Sequence, residues 1–317
     1  MTDKKNAPTY NSQSTNTQHH YISIADALNA FREAISRSLG TAPDDVAPDQ
    51  ITRFDDPKGK RGNKACYCQL FTDGRPAGYF GNWRTNHYET WVYGSYSSMT
   101  PLERTRFKQQ ISEAQAKRKA EEEARQQRAA DRARYIWQMS HPAPSDHPYL
   151  IKKMVGAGLA RVHNGALALP VIGFDDRLYS LQKIGPDGSK RFEYGGKKAG
   201  CYIPVQMPKY TQRTLICEGW ATGQSLAEDY PSARVLAALD TGNLEPVAVA
   251  ARKQWPETEL IICADDDRGK NTNAGRKAAI QASVTAKARV WYPAFPSDAP
   301  LHLSDFNDLA CWMKGGV

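Results

Sequence analysis

The sequence predicts an α/β fold built on a parallel sheet, preceded by a basic α+β segment and a small β-rich N-terminal domain. Three observations carry this. Thr214-Leu215-Ile216-Cys217 is a short apolar run that breaks at Glu218-Gly219, with helical patterning after it. Leu260-Ile261-Ile262-Cys263-Ala264 repeats the arrangement and breaks at Asp265-Asp266-Asp267. A buried strand, a turn and an amphipathic run are the sequence form of a βα unit. Residues 51–96, by contrast, alternate short β-rich runs with turn residues such as Thr72-Asp73-Gly74-Arg75-Pro76, the pattern of an antiparallel sheet.

Composition narrows the function. The chain has 317 residues and a formal net charge of +8, enough length for two domains and a basic body around an acidic set. That balance suits a polyanionic substrate held by its phosphates. No apolar run approaches the about 20 residues a membrane helix needs, and the polar N-terminus is no signal peptide, so a cytoplasmic protein without a membrane partner is expected. Of six cysteines, Cys217 and Cys263 fall inside predicted buried strands. Cys66-x-Cys68 lacks the spacer and the second pair of a zinc knuckle, so no zinc is expected.

In chain order, residues 1–20 are rich in Asn, Thr, Ser and Gln and read as a disordered tail. A module over 21–100 follows. Ser23 is placed to cap a helix carrying Leu28, Phe31, Ile35 and Leu39, and four short strands follow Ile51. Its cations alternate with aromatic residues, the composition of a single-strand binding surface. Lys64, Trp83, Arg84 and Trp91 are the candidates there; the competing reading is a small sheet whose aromatics fill its own core. Pro101, capped by Thr100, opens a charged helix with no apolar seam, predicted as a linker over 101–140. Beyond it come a short helix near Asp146-His147-Pro148-Tyr149-Leu150, strands over 166–174 and 178–184, and a basic hairpin from Lys190 to Tyr202. His147 and His163 are isolated and read as structural.

Sites in open α/β sheets lie beyond the carboxyl ends of the strands. Adjacent strands ending in acids therefore predict Glu218, Asp265 and Asp267 in one crevice, with Asp266 pointing the other way. Acids that close repel one another unless cations neutralise them, and hard oxygen ligands suit Mg²⁺ or Mn²⁺.

Glu218-Gly219, Asp265-x-Asp267 and Asp305-Phe306-Asn307-Asp308-Leu309 resemble the Toprim domain, in the version found in primases of phages, plasmids and integrative elements. Ala238-Leu239-Asp240-Thr241-Gly242-Asn243-Leu244 and Ala274-Gly275-Arg276 stand in the matching places between them. The resemblance spans roughly residues 145–312, and departs from the family where Arg268 to Asn273 lengthen a loop. It implies a Rossmann-like catalytic domain over 211–317 and a basic subdomain over 141–210. It also implies Glu218, Asp265 and Asp267 as catalytic residues and as metal ligands, with Asp305 or Asp308 joining them. Lys183, Lys190, Arg191, Lys197, Lys198 and Arg276 are implied to bind nucleotide or template.

The function so predicted is a DNA primase making short RNA primers by metal-dependent nucleotidyl transfer, for a mobile element in a bacterial host cell. Its implied partners are a single-stranded DNA template, ribonucleoside triphosphates and a replicative helicase in trans. The same acids would serve a Toprim nuclease, and a catalytically silent nucleic-acid-binding or partner-recruiting module is the third reading.

Overall fold

The computed structural model describes residues 23–73, 75–94, 100–269 and 273–315. The predicted tail over 1–20 and part of the lengthened loop lie outside the described residues. The chain forms two compact units, Met1–Arg118 and Lys119–Val317.

In the first unit, helix α1 (Ile24–Leu39) starts at Ser23, whose side chain makes no capping bond, and ends at Gly40 in the left-handed region at φ 72°. The strands β1 (Thr52–Phe54), β2 (Cys66–Phe71), β3 (Ala77–Asn82) and β4 (His87–Val92) pair antiparallel in that order. Phe31 and Ile35 of α1 pack with Phe54, Cys66, Cys68, Leu70 and Phe80 on one face. Phe71, Ala77, Tyr79 and Val92 face the other way and meet Phe107 and Ile111 at the start of helix α2 (Pro101–Met139). With both faces covered, every residue of β3 is buried. Cys66 and Cys68 are core residues, and burial pushes the Cys68 thiol up to about 12. Thr100 and Glu103 form a reciprocal cap: Glu103 N donates to Thr100 Oγ1 at 3.3 Å, and Thr100 N to Glu103 Oε2 at 2.7 Å.

The long helix packs as well as spans. Beyond residue 118 it buries Ala129, Ala130 and Ala133 in the second unit. Arg132 pairs with Glu193 at 3.1 Å and donates to the Tyr194 carbonyl at 2.7 Å. A stripe of alanines is invisible to a search for large apolar residues, yet it lets a helix approach closely.

The second unit holds two sheets. An antiparallel one runs in the order β5 (His141–Pro142), β6 (Arg161–His163), β7 (Ala166–Ile172), β8 (Leu178–Ile184), β9 (Lys190–Phe192). The other is ordered β10 (Ile203–Gln206), β12 (Arg234–Ala237), β11 (Arg213–Cys217), β13 (Glu259–Cys263), β14 (Arg289–Trp291). Only β10 in it runs antiparallel to its neighbour. An Ile172–Tyr202 bridge joins the two sheets. As predicted, β11 and β13 are parallel neighbours, with Cys217 opposite Cys263.

Side chains of these strands alternate between two cores. Leu215, Cys217, Ile261 and Cys263 face Trp220 and Leu226 of helix α4 (Trp220–Asp229). Ile216, Leu260 and Ile262 face α5 (Leu244–Gln254) and α6 (Ala274–Ala286). A short α3 (Pro148–Lys153) and a closing α7 (Phe306–Met313) complete the unit. Gly223 lies within α4 rather than in the turn before it. A Cβ there would stand 2.8 Å from Val205 Cγ2, so the glycine serves close packing.

Candidate active site

Past the ends of β11 and β13, Glu218 and Asp265 enter a cavity of about 230 Å³ that Asp305, Asp240, Tyr149, Lys153 and Lys190 also line. Glu218 directly follows β11, and Asp265 lies two residues past β13, so the parallel register delivers both to one end of the sheet. Thr241 Oγ1 donates to Glu218 Oε2 at 2.7 Å. Glu218 Oε1 and Asp265 Oδ1 are buried and have no hydrogen-bond partner among the described residues. The start of α6 closes in from the side: a Cβ on Gly275 would lie 3.2 Å from both Glu218 Oε1 and the Asp265 carbonyl. Glycine is what allows this helix to abut the acids.

The electrostatics follow from burial. The Asp265 carboxyl is pushed up to about 8, first by desolvation and then by the charges of Glu218, Asp305, Asp267 and Asp308. Glu218 is raised for the same reasons, against the lowering effect of the Thr241 bond. Asp305 is raised by burial and by Asp308.

Asp305 has a second duty as the cap of α7, its Oδ1 accepting from Asp308 N at 2.8 Å. Asp308 is engaged elsewhere, with Oδ1 3.3 Å from Lys153 Nζ and Oδ2 accepting from Ser304 N. Asp266 accepts from the Asn273 amide at 2.7 Å. Asp267 is half-buried on the loop after β13.

No three His, Cys, Asp or Glu side chains among the described residues are already gathered as a metal-holding group. Asp305 is engaged as the α7 cap and Asp308 in the Lys153 pair. The donor set nevertheless fits a hard divalent cation. Two orphaned carboxylate oxygens, on acids raised by burial and by one another's charge, are what a cation would relieve.

Of the predicted nucleotide- or template-binding residues, Lys190 alone lines this cavity. It is exposed as a residue, yet burial of its charged end and the Lys153 charge lower its pKa, while Asp305 and Asp265 act to raise it. Lys183 is paired with Glu193 at 3.0 Å. Lys197 sits over the Tyr179 ring at 4.6 Å, and Lys198 is 3.3 Å from Asp240. Arg191 is exposed on β9. Arg276 stacks its guanidinium on Tyr292 at 4.7 Å, away from the cavity.

In the first unit Lys64, Trp83 and Arg84 are exposed. Trp91 is half-buried, its ring 5.1 Å from Phe31 and packed against the core.

Sequence reasoning missed Lys153, Thr241 and Tyr149. Lys153 ends α3, whose start His147 caps, its Nδ1 accepting from Tyr149 N at 3.3 Å. Asn307 then clips the other end of that helix, donating to the Lys153 carbonyl at 2.7 Å and to Ser225 Oγ at 3.0 Å. Tyr149 stacks on Trp220, and its buried hydroxyl has no partner among the described residues. The basic end of α3, Lys152-Lys153, was the available signal for Lys153; nothing local tied it to acids about 155 residues away.

Residues 213–315 match the Toprim domain family. Two proteins called DNA primase TraC, both from Escherichia coli, are each 31% identical to this chain, over 246 and 247 residues. The matches take in 74% and 75% of this chain but only 23% and 17% of those relatives, so the chain spans less than a quarter of their length. Among solved structures, the primase fragment of the bacteriophage T7 primase-helicase protein aligns at 15% identity with a TM-score of 0.38, covering 53% of this chain and 65% of that one. The DnaG primase catalytic domain bound to ssDNA aligns at 17% identity with a TM-score of 0.34, covering 55% and 56%.

Proposed function

From the premise that residues 213–315 form a Toprim domain, we propose that the chain is a DNA primase, polymerising ribonucleotides on single-stranded DNA by metal-dependent nucleotidyl transfer. The observation that carries the reading is the cavity in which Glu218 and Asp265, each with an orphaned oxygen, face Lys153 and Lys190. Acids opposite cations in one small space suit a triphosphate and its counter-ion better than either alone.

Glu218, Asp265, Asp267 and Asp305 would hold the divalent cation, Mg²⁺ or Mn²⁺. Once bound, it supplies Lewis acidity and charge neutralisation at the reacting phosphate. The remaining work belongs to the chain. Lys153 and Lys190 attract the triphosphate into the cavity, and the Asp308 pair keeps the Lys153 ammonium at its wall. Thr241 orients Glu218, leaving Oε1 towards the cavity to ligate or to take a proton from the primer hydroxyl. Lys198, tied to Asp240 at the rim, offers a further cation for template or nucleotide. The setting in this reading is a phage, plasmid or integrative element, with a replicative helicase as the partner in trans.

Labelled ribonucleotide incorporation on unprimed single-stranded DNA with Mg²⁺ tests the reading, with the DNA's integrity followed in parallel. New short RNA that disappears in Asp267→Asn and Glu218→Gln supports it. DNA breakdown without synthesis would instead make the chain a nuclease, and neither activity would leave a binding module.

A further inference from the structure

We propose that the end of the first unit's sheet, where the β1–β2 loop meets the β3–β4 turn, is a preformed single-stranded nucleic-acid clamp, with Lys60, Arg61 and Lys64 holding phosphates and Trp83 stacking on a base.

The loop Asp55-Asp56-Pro57-Lys58-Gly59-Lys60-Arg61-Gly62-Asn63-Lys64 carries four cations, all exposed. Such a run is ordinarily a floppy, solvated segment. Here it is held from inside. Asp55 accepts from Gly62 N at 2.6 Å and Lys64 N at 3.0 Å. Asp56 is buried, taking Lys58 N at 2.9 Å and the Asn82 amide at 3.0 Å. Asn63 bridges the loop, accepting from Asp56 N and Ala65 N and donating to the carbonyls of Asp56 and Lys60. The acidic residues thus face inward as a frame while the cations face out. Lys64 also lies 3.8 Å from Asp55, a loose pair that a phosphate can displace.

The Asn82 bond ties this loop to the neighbouring turn, and Arg84 completes the join: a Cβ on Gly59 would stand 2.1 Å from Arg84 Nη1. Beside it Trp83 is 59% exposed, on a sheet whose other tryptophan is packed against Phe31. An exposed indole next to framed cations is the pairing that single strands require, a π-face for a base and charges for the backbone. A duplex hides its bases, and a protein surface has no regular phosphates to match. Only the identification of the strand as a primase template rests on the proposed function; the clamp itself does not.

The test is fluorescence-anisotropy binding of the full chain to a labelled oligothymidylate, in chelator and without nucleotides, across a salt series. Lys60→Ala/Arg61→Ala/Lys64→Ala should weaken binding at least about tenfold and flatten the salt slope by about 2, since each phosphate contact on a single strand contributes about 0.7. Trp83→Ala should weaken it at least about fivefold with the slope unchanged, the loss of one stacked base. Asp55→Ala is the deciding variant, because it raises the net positive charge while releasing the frame. Weaker binding supports a preformed clamp; equal or tighter binding overturns it in favour of diffuse charge. Should Asp55→Ala melt early, Gly59→Ala, which displaces the Arg84 guanidinium, takes its place and should weaken binding severalfold; no loss there counts against the proposal. Duplex or heparin binding as tightly as the single strand, with Trp83→Ala silent, would also overturn it. Binding that behaves as expected beside a failed primer-synthesis assay would sink the primase reading and leave the clamp standing.

Discussion

Asp265 concentrates the energetic tension of the molecule. Its carboxyl is buried among other acids and raised to about 8, whereas in an unfolded chain it titrates near 3.9. The folded state therefore keeps a proton that the unfolded state has lost, and stability falls as pH rises from about 4 to about 8. Asp265→Asn removes that penalty. Melting in chelator should show the variant more stable than the parent at pH 8, with the two converging near pH 4.5, while primer synthesis is lost. Each pKa unit is about 1.4 kcal/mol, so even part of the shift is measurable. Indistinguishable melting profiles across that range would contradict the assignment. Lys153→Met, at the same wall of the cavity, should raise the nucleotide KM, because it removes the cation beside Asp308; a KM at the parental value would place the triphosphate elsewhere.

Two short helices and one helix start are held against the cavity by single polar side chains or by a missing one. Asn307 is buried and ties α7 to the end of α3 and to Ser225 of α4. Asn307→Ala should cost about 1 kcal/mol or more by leaving the Lys153 carbonyl only the weak Cys311 thiol donor at 3.4 Å, and activity should fall beyond what the thermal shift explains, since Lys153 loses its main anchor. Activity loss that tracks melting alone would reduce Asn307 to a packing residue. Gly275 is the converse case. Gly275→Ala adds a methyl 3.2 Å from Glu218 Oε1, so the acid must move by a few tenths of an ångström. Synthesis should drop about tenfold or more at nearly unchanged melting temperature; parental activity would show that Glu218 tolerates the shift.

At the scale of the whole molecule, the boundary between units falls inside a helix and not at its ends. If residues 101–140 were only a linker, a catalytic fragment could begin near Ser140. The buried Ala129, Ala130 and Ala133 and the Arg132–Glu193 pair argue for a start at Lys119. The 119–317 fragment should therefore be more stable than 140–317 by about 2 kcal/mol or more, at roughly 0.8 kcal/mol per buried methyl plus the ion pair. Urea melts of the two fragments decide this, and equal midpoints would return the helix to linker status.

How far the sequence reached depends on the range of the interactions involved. Strand identity, the parallel pairing of Thr214–Cys217 with Leu260–Cys263, the acids at their ends and the Thr100 cap were all legible, because each is written in alternation, breakers or spacing within a few residues. The Asp-x-Asp and Glu-Gly motifs carried the candidate site for the same reason. Tertiary structure alone decided the rest. Lys153 meets Asp308 across 155 positions of chain, Thr241 reaches Glu218 from another loop, and Asp305 and Asp308 divide between capping, pairing and the cavity. It also decided that Trp91 packs on the core while Trp83 stays exposed, since Trp91 lies on the face of β4 that α1 covers and Trp83 in the turn beyond β3. Local patterns fix which groups a strand end or helix face presents; which groups meet is set by packing between distant segments, and no local pattern encodes that.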